Sequence, residues 1–185
     1  MKNEQKAFQE LIQGNHCFGC GSLNEHGLQI RSYWDGEETV CNWVPREYHM
    51  SGPTHVLNGG IIATLIDCHS ICTAIAAAYR NEGREIGSGE RIWYATGYLN
   101  VSYKRPAPIV EEATLRARIV DITDRKTLVA CSIYSEDKEC AQAELLAIRV
   151  PAKWLLPPSG RARRTCCPAY VRGCDFIMRA PRMPT

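Results

Sequence analysis

One long apolar segment constrains the fold of this 185-residue chain more than any other feature. It reads NGGIIATLIDCHSICTAIAAAYR, and its apolar residues lie nearly all round a helical wheel. A helix of this kind has to be enclosed by other structure, so the sequence predicts a central helix over 58–79. The segment contains one acid, Asp67, about two turns from its start. A carboxylate in that position is costly to bury unless it is paired or used. Asp67 is therefore either a functional residue or a structural one that is bonded to a nearby hydroxyl or backbone amide.

Strand-like patterns lie on both sides of the predicted helix. Before it, alternating apolar residues at 28–34 and 40–44 predict a hairpin with Asp35-Gly36 as its turn. After it come four strand-like runs, at 92–103, 112–122, 126–135 and 139–150. This order predicts an α+β hotdog fold, in which one antiparallel β-sheet wraps around one long central helix. A lone subunit would leave a strand edge unpaired, which predicts a homodimer or a dimer of dimers.

The two ends of the chain differ from the middle. Residues 1–14 are predicted to form an N-terminal arm with a short helix over 4–13, and residues 15–156 to form the hotdog domain. The stretch 157–185 carries six arginines against one acid and shows no periodicity, which predicts a disordered tail. A basic anchor for an acidic partner is the alternative for this tail.

Composition argues against several other classes of protein. No run approaches the roughly 18 consecutive apolar residues of a membrane span, and the opening MKNEQKAFQELIQ lacks the apolar core of a signal peptide. The chain is therefore expected in the cytoplasm, with its ten cysteines reduced. Residues 1–156 carry 16 Lys and Arg against 19 Asp and Glu, which gives no electrostatic case for binding nucleic acid.

The start of the helix is a candidate site for holding a developing negative charge. Gly59 and Gly60 let a ligand approach the backbone, and the N–H groups of a first helical turn lack helical partners. They could stabilise an oxyanion, or the glycines could merely allow tight packing. Asp67 lies seven residues beyond Gly60, a rise of about 10 Å, so one carbonyl cannot easily touch both. This separation predicts two active sites per dimer, each shared between subunits.

The segment NGGIIATLID, followed by TGYLNVSYKRPAP, resembles the acyl-CoA thioesterases of the PaaI-like hotdog superfamily. The usual pattern there is H-G-G, six residues and D, then a small hydroxyl residue ahead of a strand ending in Y-x-R-P. HCFGCGSLNEHGLQI also resembles the N-terminal segment of the THEM4-like branch. The resemblance covers roughly residues 15–150. It implies hydrolysis of acyl-CoA to free acid and CoA without a cofactor.

By position, the resemblance assigns roles to four residues. Gly59 supplies the amide that polarises the thioester carbonyl, and Asp67 is the catalytic carboxylate, acting as general base or nucleophile. Thr96 takes the place of a hydroxyl residue that positions water, with an ordinary strand threonine as the alternative. Asn58 replaces the histidine before the two glycines, and it can donate a hydrogen bond or cap a helix but cannot titrate.

Further residues are candidates for contacts to the substrate: His49, His55, Thr64, Arg91, Tyr98 and Lys104. The two histidines could replace the missing one or lie in a surface loop. Tyr98 has the strand parity of Thr96 and is expected to line the acyl pocket, with core packing as the alternative. The two cations could meet the phosphates of CoA or form a solvated charge cluster.

Two alternatives to hydrolysis stay open. A protein that binds acyl-CoA without turning it over is the first, and Asn58 is the feature that keeps it open. A hotdog hydratase or dehydratase is the second, although its spacing of Asp and then His five residues later does not occur in the sequence.

The segment His16-Cys17-x-x-Cys20 could be half of a zinc site. A structural zinc needs four ligands, and His26 would complete a set only with a non-standard spacing. In the resembled branch this segment is a structural turn. The sequence therefore predicts no metal.

Overall fold

The computed structural model describes residues 5–155, and the predicted tail over 157–185 lies outside them. The helices and strands, in chain order, are α1 (Phe8–Leu11), β1 (Tyr33–Asp35), β2 (Glu38–Trp43), α2 (Gly59–Asn81), β3 (Tyr94–Tyr103), β4 (Ala113–Ile122), β5 (Lys126–Ser135) and β6 (Lys138–Arg149). Short 3-10 turns cover Glu47–His49 and Ala152–Leu155. This order confirms the predicted α+β arrangement of two strands, one long helix and four strands.

The N-terminal helix is a single turn, not the ten residues that the pattern predicted. The chain becomes extended at Ile12, which ends the helix. The side chains of Phe8 and Ile12 are buried in the core, and the Phe8 amide donates to the carbonyl of Ser32 at 3.0 Å. Packing against the body therefore holds this segment, since a helix of one turn has little stability of its own.

The first hairpin is shorter than predicted. Gln29 adopts a φ of +55°, which interrupts the extended backbone, so β1 begins only at Tyr33. Leu28 and Ile30 still lie in the core, which explains their apolar pattern. The turn falls at Gly36-Glu37, one residue later than predicted, and Gly36 supplies its φ of +65°.

Helix α2 fills the centre of the fold, as predicted. It packs against β3, β4, β5 and β6, and 14 of its 23 residues are buried. By length and composition it could cross a membrane, with a mean hydropathy of 1.7 over 18 residues. However, 72% of that window is buried within the protein, as in the core helix of a globular domain.

The six strands form one antiparallel sheet in the order β1-β2-β4-β5-β6-β3. The edges are therefore β1, with three residues, and β3, with ten. Strand β3 pairs with β6 on one side and leaves the backbone groups of its other side unpaired within the sheet. An open edge of this length is a template for pairing with another strand.

A bulge in β3 decides which side chains face the helix. Thr96 pairs with Ala147 and Tyr98 with Leu146, so Gly97 is one extra residue. A Cβ at Gly97 would lie 2.8 Å from Ile148, which leaves no room for a side chain. The extra residue turns Thr96 toward α2 and Tyr98 toward the opposite face. The predicted shared parity of Thr96 and Tyr98 is therefore wrong.

Candidate active site

A carboxylate and a hydroxyl meet where α2 crosses the edge strand. The Thr96 hydroxyl on β3 donates to Oδ1 of Asp67 on α2 at 2.6 Å. Burial raises the pKa of the half-buried Asp67, while the hydrogen bond from Thr96 lowers it and the nearby Cys20 raises it further. Within residues 5–155, Oδ2 of Asp67 accepts no hydrogen bond. The pair thus presents one free carboxylate oxygen close to an exposed strand.

The start of α2 has one uncommitted amide. Oδ1 of Asn58 accepts hydrogen bonds from the amides of Gly60 at 2.8 Å and Ile61 at 3.3 Å. The Gly59 amide has no acceptor among the described residues, and the Tyr103 hydroxyl donates to the Gly59 carbonyl at 2.8 Å. An oxyanion role is therefore open to Gly59. The Gly60 amide donates to Asn58, so the oxyanion role predicted for Gly60 would require that amide to be shared.

Asn58 is the N-cap of α2. Its side-chain oxygen accepts hydrogen bonds from the first turn of α2, and its backbone amide donates to the backbone carbonyl of His49 at 2.9 Å. Capping of this kind satisfies first-turn amides that would otherwise lack partners. The structure thus confirms that Asn58, at the position where the resembled family has histidine, caps the helix. A role of Asn58 in catalysis stays a prediction.

The free amide and the carboxylate are far apart within one chain. Gly59 and Asp67 are eight residues apart on α2, a rise of about 12 Å. Gly59 is next to Tyr103 at one end of β3, whereas Asp67 is next to Thr96 near the other end. A single carbonyl group cannot easily contact both groups within one chain.

The face of α2 that carries Asp67 is open over its first half. Ala63, Thr64 and Ile71 are half-buried, and the Thr64 hydroxyl donates to the Gly60 carbonyl at 2.9 Å. Further along the same face, Ala74 and Ala78 are buried. The side chains next to Asp67 on this face are therefore less buried than those at its far end.

The two candidate histidines have different surroundings. His49 is buried, its Nδ1 accepts the Arg46 amide at 3.0 Å, and its ring packs on Trp43 with 4.8 Å between centroids. Burial lowers its pKa. These contacts hold His49 within the loop, and its role in substrate binding stays a prediction. His55 is exposed.

The three remaining candidates are engaged with their own chain. Lys104 forms an ion pair with Glu139. Arg91 donates to the carbonyl of Gln13 at 2.9 Å and lies over the ring of Trp93. The exposed Tyr98 hydroxyl donates to Glu144 at 2.5 Å, on the outer face of the sheet. Tyr98 therefore does not line a pocket beside Asp67, contrary to the expectation.

A buried polar network, which the sequence analysis missed, lies two residues beyond Asp67. Nδ1 of His69 is 2.8 Å from the Ser32 hydroxyl, and Nε2 is 3.3 Å from the Thr39 hydroxyl. Gln9 donates to Ser32, so the Ser32 hydroxyl hydrogen is free to point at Nδ1. Burial lowers the pKa of His69 to about 4, which keeps the ring neutral. No sequence pattern marks these partners, because they come from distant segments.

A cluster of four cysteines was also missed. Sγ of Cys17 is 3.6 Å from Sγ of Cys68, and Sγ of Cys20 is 3.9 Å from Sγ of Cys72. The four-residue spacing of Cys68 and Cys72, which places both on one face of a helix, was the available signal.

Comparison with known proteins agrees with this architecture. The family model "Thioesterase superfamily" matches residues 54–141. The mouse (Mus musculus) protein "Acyl-coenzyme A thioesterase THEM4" is 30% identical over 100 residues, which are 54% of this chain and 37% of that protein. The chain thus spans about two fifths of the length of the curated relatives it matches.

Solved structures give the same result. A thioesterase superfamily protein from Shewanella loihica has a TM-score of 0.56 and 30% identity, covering 69% of this chain and 96% of that one. The PaaI protein of E. coli has a TM-score of 0.54 and 14% identity, covering 67% and 81%, and so shows the fold alone. From these matches and the sheet around α2, the chain has the hotdog fold and belongs to the thioesterase superfamily.

Proposed function

We propose that this chain hydrolyses acyl-CoA thioesters to the free acid and CoA. The observation that carries the proposal is the hydrogen bond between Thr96 and Asp67, beside an open strand edge. Membership of the thioesterase superfamily supports it, as does the name acyl-coenzyme A thioesterase of the curated relatives.

The geometry around Asp67 suits activation of a water molecule. Thr96 occupies Oδ1, so Oδ2 is the oxygen available to accept a proton from water. The water oxygen bonds to the thioester carbon, and the carbonyl becomes an oxyanion that the Gly59 amide can stabilise. The carbon–sulfur bond then breaks, and the proton held by Asp67 passes to the departing thiolate. The products are a carboxylic acid and the CoA thiol.

A second subunit would complete the site. If β3 pairs in antiparallel fashion with β3 of a second copy, the start of one α2 approaches the middle of the other. Gly59 of one subunit and Asp67 of its partner could then face one thioester, which the separation of about 12 Å within a chain forbids. The homodimer in this proposal therefore has two equivalent sites.

The first test measures thiol release from short, long and aromatic acyl-CoAs. Asp67→Asn keeps the shape of the side chain but removes the base, and we expect kcat to fall about 1000-fold. The control is Asp121→Asn, at an exposed position on β4, which should retain full activity. A wild-type protein that binds acyl-CoA without releasing thiol would refute hydrolysis and favour the binding alternative.

The second test addresses the Gly59 amide. Gly59→Pro removes this N–H at the first helical position, where proline is well tolerated, and Asn58 already has the extended conformation required before proline. Gly59→Ala keeps the N–H, and its Cβ would meet the Tyr103 ring at an ordinary 3.6 Å. We expect Gly59→Pro to lower kcat about 100-fold and Gly59→Ala to lower it far less.

Mixed dimers test the shared site. A dimer of one Asp67→Asn and one Gly59→Pro subunit would contain one doubly altered site and one intact site. An equal mixture with free subunit exchange should recover about a quarter of wild-type activity from two nearly inactive proteins. No recovery, with mixed dimers demonstrated by mass spectrometry, would show that the two residues do not act on one substrate across an interface.

A further inference from the structure

Four cysteine thiols converge beneath the N-terminal loop. The sulfur atoms of Cys17, Cys20 and Cys68 all lie within 4.8 Å of one another. Cys72 joins them through its contact with Cys20 at 3.9 Å. The Cys17–Cys68 and Cys20–Cys72 sulfur–sulfur distances, 3.6 and 3.9 Å, are too long for disulfides, whose sulfurs are about 2.05 Å apart.

Two of the sulfur–sulfur distances match the edges of a metal-centred tetrahedron. Four zinc–sulfur bonds of about 2.3 Å in tetrahedral geometry place neighbouring sulfurs about 3.8 Å apart. The Cys17–Cys68 distance of 3.6 Å and the Cys20–Cys72 distance of 3.9 Å fall on either side of that value. Two ligands come from a Cys-x-x-Cys loop and two from one face of α2, so the set combines a short loop with a rigid element.

The loop that carries Cys17 and Cys20 is held in place by hydrogen bonds. The Asn15 side chain accepts the Cys17 amide at 3.1 Å and donates to the carbonyl of Cys20 at 3.3 Å and to its Sγ at 3.7 Å. Gly19 lies so close to α2 that a Cβ there would collide with Sγ of Cys68. Donors to ligand sulfurs and a fixed loop are what surrounds a structural metal site.

Burial and ligand type also suit a metal. Cys20, Cys68 and Cys72 are buried and Cys17 is half-buried, which leaves one side of the cluster as an entry route. The group of Cys17, Cys20 and Cys68 found among the described residues contains no carboxylate or imidazole, and sulfur ligands favour a soft cation.

We propose that Cys17, Cys20, Cys68 and Cys72 bind one Zn²⁺ ion, which ties the N-terminal loop to the central helix. The sequence alone predicted no metal, because that prediction rested on Cys17 and Cys20 and left out the pair of cysteines on α2. This inference does not depend on thioester hydrolysis. Asp67 immediately precedes a ligand, so the ion would fix the turn of α2 that carries the candidate base.

The test begins with the full chain purified under reducing conditions without chelator. Elemental analysis should find about one zinc per chain and no stoichiometric iron. The chain also has Cys166, Cys167 and Cys174, so a variant with all three changed to serine should keep its zinc. Cys72→Ala should lower bound zinc about tenfold or more, whereas Cys131→Ala, at a buried cysteine outside the cluster, should not.

A spectroscopic measurement on the wild-type chain avoids dependence on variants that fail to fold. Cobalt(II) added to the reduced, metal-free protein should produce the intense visible absorption of a tetrahedral thiolate site, and added zinc should abolish it. A Cys17–Cys68 disulfide in the freshly purified protein would overturn the proposal. So would iron in place of zinc, or zinc that is lost with the three tail cysteines and kept in Cys72→Ala.

Discussion

Asp67 and His69 are two residues apart on α2, yet their surroundings differ in kind. His69 is fully buried, and each ring nitrogen has a hydroxyl partner from within the core. Asp67 is half-buried, and the one hydrogen bond that its carboxylate makes within the described residues comes from the exposed Thr96. A buried polar group with all its partners inside the chain stabilises the fold. One that keeps a free oxygen at an open edge is available for chemistry.

The largest expected effect is the loss of stability when His69 is replaced. His69→Ala leaves a cavity where the ring was and takes a hydrogen-bond partner away from the hydroxyls of Ser32 and Thr39. Together these losses should lower the free energy of unfolding by about 3 kcal/mol. Urea unfolding measures this loss. The control is Ser70→Ala, because the buried Ser70 hydroxyl has no partner among residues 5–155 and its removal should change stability little. Equal losses in both variants would contradict the importance of the network.

The next effect tests the bulge that directs Thr96 to Asp67. Gly97→Val places carbon atoms where Ile148 already lies, and we expect unfolding free energy to fall by about 2 kcal/mol. Thiol release should fall as well, since relieving the clash would displace Thr96. Gly36→Ala, at the exposed hairpin turn, separates a general glycine effect from the bulge, because it should lower stability without lowering kcat. A Gly97→Val protein with full activity would show that the bulge is not needed to position Thr96 for turnover.

A smaller effect is expected on kcat when the hydroxyl that donates to Asp67 is removed. Thr96→Val keeps the size of the side chain but removes the hydroxyl, and kcat should fall about tenfold with little change in stability, because Thr96 is exposed. Thr96→Ser keeps the hydroxyl and should retain most of the activity. Kinetics and unfolding measured on the same preparations would separate the two quantities. A loss of stability in place of activity would make Thr96 a structural partner like Ser32.

The smallest effect concerns the N-cap. Asn58→Ala leaves the amides of Gly60 and Ile61 without their acceptor and should cost about 1 kcal/mol of stability. Asn58→Asp keeps the acceptor and should preserve the stability. Thermal unfolding of the two variants provides the measurement. An Asn58→Ala variant that unfolds normally but loses all turnover would instead indicate a direct catalytic role.

The order of elements was predictable because the patterns along the chain are strong. The apolar segment that became α2 was predicted to within a few residues, as were β3 to β6. The end of α1 and the late start of β1 were not predictable, because they depend on the backbone of Ile12 and Gln29 and on packing from elsewhere. Single-residue backbone changes leave no periodic signal.

The candidate site was predictable only as a set of residues. Asp67, Gly59 and Thr96 could be selected from motif spacing, but the sequence could not show that the Gly60 amide is taken up by Asn58. Nor could it show the cysteine cluster, whose two halves are about 50 residues apart along the chain and meet only through folding.

The extra residue at Gly97 also changes how a sequence interval along β3 should be interpreted. In an uninterrupted strand, residues separated by seven positions lie on opposite faces. Thr96 and Tyr103 are seven apart, yet both reach α2, one through Asp67 and the other through Gly59. A related chain with an interval of six would achieve this without a bulge, and one with seven but no glycine would turn its hydroxyl away. The hydroxyl-to-tyrosine spacing, together with a glycine after the hydroxyl residue, can therefore sort relatives from sequence alone into those that keep this pairing and those that lose it.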